Sequence, residues 1–214
     1  MACLAEYRDP ETGGHIKRTQ NYVRLLASHL HAHPAYRDFL TADTIDLLYK
    51  SAPLHDIGKV GVRDDILLKP GPLTDEEFAL MRQHTVFGRD AIESASKKLG
   101  HNSFLRLAKE IAYTHQERWD GSGYPQGLAG EAIPISGRLM AIADVYDALI
   151  SRRVYKAPVP HNQAVTIILQ GRSTQFDPAM VDAFLELEDQ FRQIALTHAD
   201  HDDERQALAS PYAA

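Results

Sequence analysis

The sequence predicts a nearly all-α protein with one domain. Apolar residues recur mostly at helical spacing, and segments with strand-like alternation are few. The chain has 214 residues, of which 44% are hydrophobic and 24% charged, as in ordinary soluble domains. A domain of this length buries roughly 70% of the surface that its unfolded chain exposes, so it needs neither a disulfide nor a structural metal to fold.

Seven helical segments follow from this spacing. They are expected at about residues 4–32, 43–56, 75–97, 103–117, 135–150, 161–170 and 178–194. Thr74 and Glu77 have the spacing of a capping box, which predicts a helix start there. Pro134 suits the first turn of its helix, because its missing N–H has no intrahelical partner at that position. Pro53 falls inside an apolar pattern and predicts a kink or a break.

The two ends of the chain differ in character. Residues 1–196 are expected to form the domain, and helical periodicity already runs at Leu4, which suggests the output portion of a longer protein. Residues 197–214 are polar, with the acidic run Asp200-His201-Asp202-Asp203-Glu204 followed by small residues. Such a segment has little apolar surface to bury, and we expect a flexible C-terminal tail.

Charge and composition exclude several classes of function. Lysine and arginine total 23 against 29 aspartates and glutamates, for a net charge of −6, which argues against binding of duplex nucleic acid. A small phosphorylated ligand remains compatible, because metal ions can supply local positive charge. One cysteine, no signal-peptide pattern and no apolar run of about 18 residues favour a cytoplasmic protein whose present segment makes no membrane contact.

The densest chemical signal is Leu54-His55-Asp56-Ile57-Gly58-Lys59. An adjacent imidazole and carboxylate can face one divalent cation or bridge two, and Asp56 is the natural bridge. Lys59 can direct its ammonium toward a phosphate near the metals, while Gly58 lets the backbone leave helical geometry. Alternatively, His55 caps a helix C-terminus, and Asp56 and Lys59 form an ordinary surface pair.

Four other segments offer inward-facing ligands. His84 and His115 share helix faces with apolar residues, which fits either a metal ligand or a core histidine bonded to a backbone carbonyl. Glu11 and His15 are spaced i, i+4 and can serve one site, or belong to a solvated helix start. Asp144 lies among small and apolar residues, where a buried carboxylate needs a metal or a cation. One polynuclear site would satisfy all five segments together.

At this point the sequence resembles a known family. His55-Asp56-Ile57-Gly58-Lys59 resembles the signature of the HD-domain phosphohydrolases, and His115-Gln116-Glu117-Arg118-Trp119-Asp120-Gly121-Ser122-Gly123-Tyr124-Pro125 resembles the segment that defines the HD-GYP subfamily. Further similarity lies in Leu67-Leu68-Lys69-Pro70-Gly71, Gln126-Gly127-Leu128, Ala143-Asp144-Val145-Tyr146-Asp147-Ala148-Leu149 and Phe176-Asp177-Pro178. The resemblance therefore runs from about Glu6 to Phe184, and its several ordered motifs are far more specific than one His-Asp pair.

The resemblance implies a core of five helices, extended by additional helices, with a cluster of two or three divalent metal ions in the bundle. Iron or manganese is expected, with zinc, nickel and magnesium as alternatives. The implied metal ligands are Glu11, His15, His55, Asp56, His84, His115 and Asp144. Asp56 and Lys59 are the implied catalytic residues, and Tyr124, Arg153 and Lys156 the implied contacts to the substrate.

The implied activity is hydrolysis of cyclic di-GMP to linear pGpG, and onward to GMP as an open second step, by a hydroxide that bridges the metals. Implied partners are an upstream receiver-like domain and a diguanylate cyclase domain that contacts the Gly-Tyr-Pro loop. Gln116 departs from the family pattern, which has a second histidine ligand there, because an amide oxygen is a weaker ligand than imidazole. Two alternatives stay open: a catalytically weak cyclic di-GMP sensor or protein-interaction module, and a phosphohydrolase acting on another cyclic dinucleotide.

Overall fold

The structure is a computed structural model that describes residues 13–100, 102–152 and 157–209. These ranges contain helices and loops but no β-strand, which confirms the predicted fold class. The α-helices are α1 (Gly13–Leu30), α2 (Ala42–Ser51), α3 (Asp64–Leu67), α4 (Asp75–Met81), α5 (His84–Leu99), α6 (Ser103–Thr114), α7 (Ile135–Ile150), α8 (His161–Gln170), α9 (Pro178–Thr197) and α10 (Asp202–Ala209). Short 3-10 helices span Ala52–Leu54, Ile57–Gly61 and Gly130–Ala132.

The predicted helix boundaries at Thr74, Pro134 and Pro53 are confirmed. The Thr74 hydroxyl accepts a hydrogen bond from the Glu77 N–H at 3.3 Å, and the Glu77 carboxylate accepts one from the Thr74 N–H at 2.7 Å. Pro134 lies directly before α7. At Pro53 the α-helical bonding of α2 gives way to a 3-10 turn, which ends immediately before His55.

The helix expected over residues 75–97 is instead two helices. α4 ends at Met81 and α5 begins at His84, so the single-helix prediction was wrong at Arg82 and Gln83. The Met81 carbonyl accepts a hydrogen bond from the His84 ring at 2.8 Å, so a side-chain donor satisfies this backbone carbonyl at the break. His84 therefore stands at a helix start, with its ring fixed by the preceding turn.

The core lies where α1, α7 and α9 meet. α7 is buried around most of its circumference, and α1 and α9 each bury one face against it. Four aromatic rings join the three helices: Tyr22 stacks on Phe191 at 4.5 Å, and Tyr146 meets Tyr22, Phe184 and Phe191 at centroid distances of 5.3–5.5 Å. This packing fixes the ends of α1 and α7 that carry His15 and Asp144.

The C-terminal segment differs from the expected flexible tail. Residues 202–209 form α10, in which Glu204 and Leu208 are buried. The Glu204 carboxylate accepts the backbone N–H groups of Arg152, Asp200 and His201, a long-range interaction that the local composition does not reveal. Residues 210–214 lie outside the described residues. Among the described helices, none has the length and apolar character needed to cross a membrane.

Candidate metal centre

Two groups of potential metal ligands lie side by side. Within each group, one ligand atom per residue lies within 4.8 Å of the others. The groups are His15, His55 and Asp144, and Asp56, His84 and His115. The structure therefore brings together every predicted ligand that it describes. Glu11 lies outside the described residues, and its assignment stays a prediction.

Asp56 lies between the two groups. Its Oδ2 atom is 3.4 Å from His55 Nε2, while its Oδ1 atom is 3.4 Å from both His84 Nε2 and His115 Nε2. Pairs of Nε2 atoms also approach each other across each group, at 3.4 Å for His15 and His55 and 3.4 Å for His84 and His115. One carboxylate oxygen thus faces each group, as a bridging ligand requires.

All four imidazoles are oriented by a hydrogen bond at the ring nitrogen that faces away from the centre. His55, His84 and His115 bond the carbonyls of Ala52, Met81 and Ile111 at 2.9, 2.8 and 3.1 Å, and His15 bonds the Asp147 carboxylate at 2.8 Å. These acceptors place a proton on each Nδ1, so each Nε2 presents its lone pair to the centre. Metal-binding histidines characteristically have such partners.

The donor set fits divalent cations. Asp56 Oδ1 is buried and has no hydrogen-bond partner among the described residues, although an unpaired buried polar atom is costly. Its neighbours are Nε2 atoms that present lone pairs and donate no hydrogen bond to it. Nitrogen and oxygen lone pairs that converge on one space match the mixed ligation of first-row metals.

Electrostatics keep these groups in their ligating forms. Burial alone would raise the pKa of Asp56, but the charge of Lys59 holds it well below its ordinary value. Burial lowers the pKa of His84 from 6.5 to about 4, with the nearby Asp56 carboxylate only partly opposing the shift. Near neutral pH, Asp56 is therefore a carboxylate and His84 a neutral imidazole.

Lys59 lies at the edge of the centre. Its Nζ atom is 2.7 Å from Asp56 Oδ2, and both side chains are partly buried, with 16% of each exposed. Gly58 makes this approach possible, because a methyl group there would overlap the backbone of His84 and Gly88 in α5. The glycine thus packs the 3-10 turn that carries Asp56 and Lys59 tightly against the helix that carries His84.

Tyr124 lies over the centre on the loop that follows α6, residues 118–128, here called the GYP loop. Its ring meets the His84 ring edge-on at 6.2 Å, and the Arg82 guanidinium stacks over it at 4.7 Å. Burial, followed by the charge of Asp56, raises the pKa of Tyr124. Arg153 and Lys156, the other predicted substrate contacts, lie outside the described residues.

The buried Glu117 holds the GYP loop in place. Its two carboxylate oxygens accept the backbone N–H groups of Gln126 at 2.8 Å and Leu128 at 3.0 Å. The neighbouring Gln116 accepts the Tyr124 N–H through its backbone carbonyl at 3.1 Å. The sequence motif contained Glu117, but this clamping role became evident only from the structure.

Sequence reasoning also missed Asp147 and Arg18. Asp147 is fully buried and accepts two hydrogen bonds from Arg18, at 2.6 and 3.0 Å, in addition to the one from His15. Burial alone would raise the pKa of Asp147, but the His15 hydrogen bond and the Arg18 charge lower it. The available signal was its position one turn after Asp144 on the same buried helix.

Comparison with known proteins identifies the family and the relatives that this chain resembles. A family model described as "HD domain" matches residues 4–180. A Vibrio cholerae protein named cyclic di-GMP phosphodiesterase is 60% identical over 195 residues, which are 91% of this chain and 40% of that protein. Another V. cholerae protein, 3′3′-cGAMP-specific phosphodiesterase 2, is 41% identical over 191 residues, 89% of this chain and 34% of that protein.

A solved structure shares the fold. Bd1817, an HDG"Y"P protein from Bdellovibrio bacteriovorus, aligns with a TM-score of 0.57 and 18% identity, over 82% of this chain and 51% of that one. The present chain is a member of the HD-domain family. Within that family it belongs to the HD-GYP proteins, and it spans less than half the length of the two curated relatives described above.

Proposed function

We propose that this chain is a metal-dependent phosphodiesterase that hydrolyses cyclic di-GMP. The observation that carries the proposal is the Asp56 carboxylate, which faces one histidine group with each of its oxygens and leaves one buried oxygen without a hydrogen bond. The activity in the name of the 60% identical relative supports the substrate. Linear pGpG is the proposed first product.

Two metal ions fit the described ligands. His15, His55 and Asp144 would hold one, His84 and His115 the other, and Asp56 would bridge them; Glu11 is the proposed ligand of a third ion. Iron or manganese is proposed, since both accept mixed imidazole and carboxylate ligation. Bound divalent cations supply an activated water and withdraw charge from phosphoryl oxygens.

Lys59 and Tyr124 act on the substrate from the rim of the centre. Lys59 neutralises part of the Asp56 charge, and its ammonium would stabilise a phosphoryl oxygen as its negative charge grows. Because the pKa of Tyr124 is raised, its phenol stays protonated and donates a hydrogen bond to a substrate oxygen. Both groups therefore favour an anionic ligand above the metals.

Arg82 extends this anion-binding surface. It is partly buried, stacks on Tyr124, and has no carboxylate within ion-pair distance in the part of the chain that the structure describes. A guanidinium can pair with a phosphate or with the O6 and N7 edge of guanine. Arg153 and Lys156 remain proposed contacts of the same kind, on the segment that follows α7.

Two other functions have specific support. The amide at Gln116, where the family pattern has histidine, favours a weakly active cyclic di-GMP sensor. The relative that is named for 3′3′-cGAMP, at 41% identity, favours another cyclic dinucleotide as substrate.

Proposed partners are a receiver-like domain and a diguanylate cyclase domain at the GYP loop. The single cysteine of the sequence is consistent with a cytoplasmic location.

The test combines metal analysis with turnover. Protein purified without oxygen is analysed for bound metals, loaded with iron(II) or manganese(II), and assayed with cyclic di-GMP and 3′3′-cGAMP. We expect about two metals per chain and faster turnover of cyclic di-GMP. Asp56→Asn should abolish both metal retention and turnover, whereas Asp65→Asn, an exposed carboxylate paired with Arg63, should change neither. Tight nucleotide binding without turnover under either metal would refute the enzyme and favour the sensor.

A further inference from the structure

Arg18 connects the metal centre to the C-terminal part of the chain. Its buried guanidinium donates five hydrogen bonds. Three go to α7 and the residue after it: two to Asp147 and one to Ser151 at 2.9 Å. The other two go to the His198 carbonyl at 2.7 Å and the Asp200 carboxylate at 3.0 Å. The planar fork thus joins two segments that lie far apart in the sequence.

Residues 198–204, here called the C-terminal clasp, are themselves fixed to the end of α7. Glu204 is buried, and its Oε1 accepts the Arg152 N–H at 2.9 Å. Its Oε2 accepts the N–H groups of Asp200 at 2.9 Å and His201 at 3.3 Å. One carboxylate therefore shapes the loop that presents Asp200 to Arg18 and also holds the backbone that leads into Arg153.

Gly14 lets the clasp approach α1. A methyl group at this position would overlap Asp200, Arg18 and the His198 backbone carbonyl. The carbonyl belongs to the main chain and cannot swing aside as a side chain can. The absence of a side chain at Gly14, next to the proposed ligand His15, therefore leaves room for the C-terminal segment.

We propose that the C-terminal clasp is a positioning element for the metal centre, acting on His15 through Arg18 and Asp147. One Asp147 oxygen accepts hydrogen bonds from His15, Arg18 and Ser151, so the place of the guanidinium determines where the His15 ring is held. Without the clasp, Arg18 loses two of its five acceptors while buried, and a guanidinium with unpaired N–H groups reorients. The HD-domain match ends at residue 180, so the clasp lies beyond it.

The consequence is specific to one side of the centre. His15 belongs to the group with His55 and Asp144, whereas His84 and His115 are oriented by carbonyls of their own chain neighbourhood. Loss of an outer hydrogen-bond partner lowers metal affinity by about 10–100-fold. Weakening the clasp should therefore lower the affinity of one metal site by about tenfold and leave the other unchanged.

Two variants weaken the clasp without removing a ligand. Glu204→Gln replaces one acceptor oxygen by an amide nitrogen that cannot accept. Gly14→Ala displaces the clasp together with the Arg18 Nη1 atom that bonds it, while favouring the helix locally. Asp202→Asn is the matched control, since Asp202 lies in the same turn as Glu204 but is exposed and pairs with Arg205. Circular dichroism and thermal unfolding of the metal-free proteins establish that each variant is folded.

The measurement is manganese(II) binding to the full metal-free chain by competition with a chromogenic chelator. Glu204→Gln and Gly14→Ala should each weaken one of two sites, and Asp202→Asn neither. In double-mutant combinations, Glu204→Gln should add nothing to His15→Gln, because both act on one site, and should add fully to His84→Gln. Wild-type affinity at both sites in the two folded clasp variants, or full additivity with His15→Gln, would overturn the proposal.

This proposal rests on the proposed metal centre but not on its substrate. The affinity measurement involves no turnover, so failure of the wild-type chain to hydrolyse cyclic di-GMP would count against the proposed function alone. Conversely, full activity together with a manganese affinity that is unchanged by Glu204→Gln and Gly14→Ala would refute the positioning role of the clasp and leave the proposed function intact.

Discussion

Acidification of the metal-free protein should expose the energetic consequence of burying His84. Its pKa is about 4 in the folded chain and 6.5 in the unfolded reference. Between these values the unfolded chain binds a proton that the folded chain excludes, so stability falls as pH falls. The contribution is complete above pH 6.5 and is lost progressively down to about pH 4.

The size of the effect follows from the two pKa values. Between pH 7 and pH 5, this single group should lower the free energy of unfolding by about 2 kcal/mol. Burial also lowers the pKa of His161, so the wild-type curve alone cannot isolate His84. His84→Gln removes the titrating ring at this position and should flatten the pH dependence by about that amount.

Urea unfolding of chelator-treated protein at several pH values provides the test, with the denaturant slope checked for constancy. His33→Gln serves as the control for replacing an imidazole by an amide, because the His33 ring is exposed. Parallel curves for wild type and His84→Gln, both falling equally toward pH 5, would show that burial does not hold the His84 ring neutral.

Three substitutions around the centre test separate parts of the site. Gln116→His should raise the amount of metal retained after purification, and an unchanged metal content would show that position 116 does not face the metals. Glu117→Gln should raise the KM for cyclic di-GMP about tenfold or more by replacing a carboxylate oxygen that accepts a GYP-loop N–H, a loss of roughly 1–3 kcal/mol; an unaltered KM would contradict the clamp. Arg82→Gln should weaken cyclic di-GMP binding about tenfold with unchanged metal content, as expected for a charged contact worth roughly 1–3 kcal/mol. Calorimetry on the variant and on the wild-type protein measures this, and an equal affinity would refute the role of Arg82.

Much of the fold could be predicted from the sequence where local patterns determine it. The bounds of α7 and α8 match the expected residues 135–150 and 161–170, because apolar spacing and the preceding prolines both specify them. The break before His84 could not be predicted in this way. At the break the Met81 carbonyl accepts a hydrogen bond from the His84 ring, a contact that a pattern of apolar residues does not reveal.

In the candidate site, too, local patterns identify some features and contacts in the folded chain determine the others. His55, Asp56, His84, His115 and Asp144 could be singled out because each stands in a recognisable motif or on an apolar helix face. The anchor of His15 was harder to find, since its partner Asp147 lies 132 residues away in the sequence. Only the folded packing of α1 against α7 brings the two together.

The C-terminal segment illustrates the limit of composition. An acidic stretch followed by small residues indicates a solvated tail when no partner is known. Here Glu204 meets a backbone N–H that lies 52 residues earlier, and Leu208 is buried with it. Long-range partners of this kind decide whether a polar segment is ordered, and they have no local signature.

The four imidazoles differ in how far along the sequence their hydrogen-bond partners lie. Three rings donate a hydrogen bond to carbonyls only three or four residues away, so the adjacent turn alone fixes their orientation. The His15 ring depends instead on a carboxylate in another helix. A small slide of α1 along α7 would therefore disturb the His15 ring and spare the other three rings. This makes the contact between α1 and α7 the place where strain elsewhere in the bundle reaches the candidate metal centre.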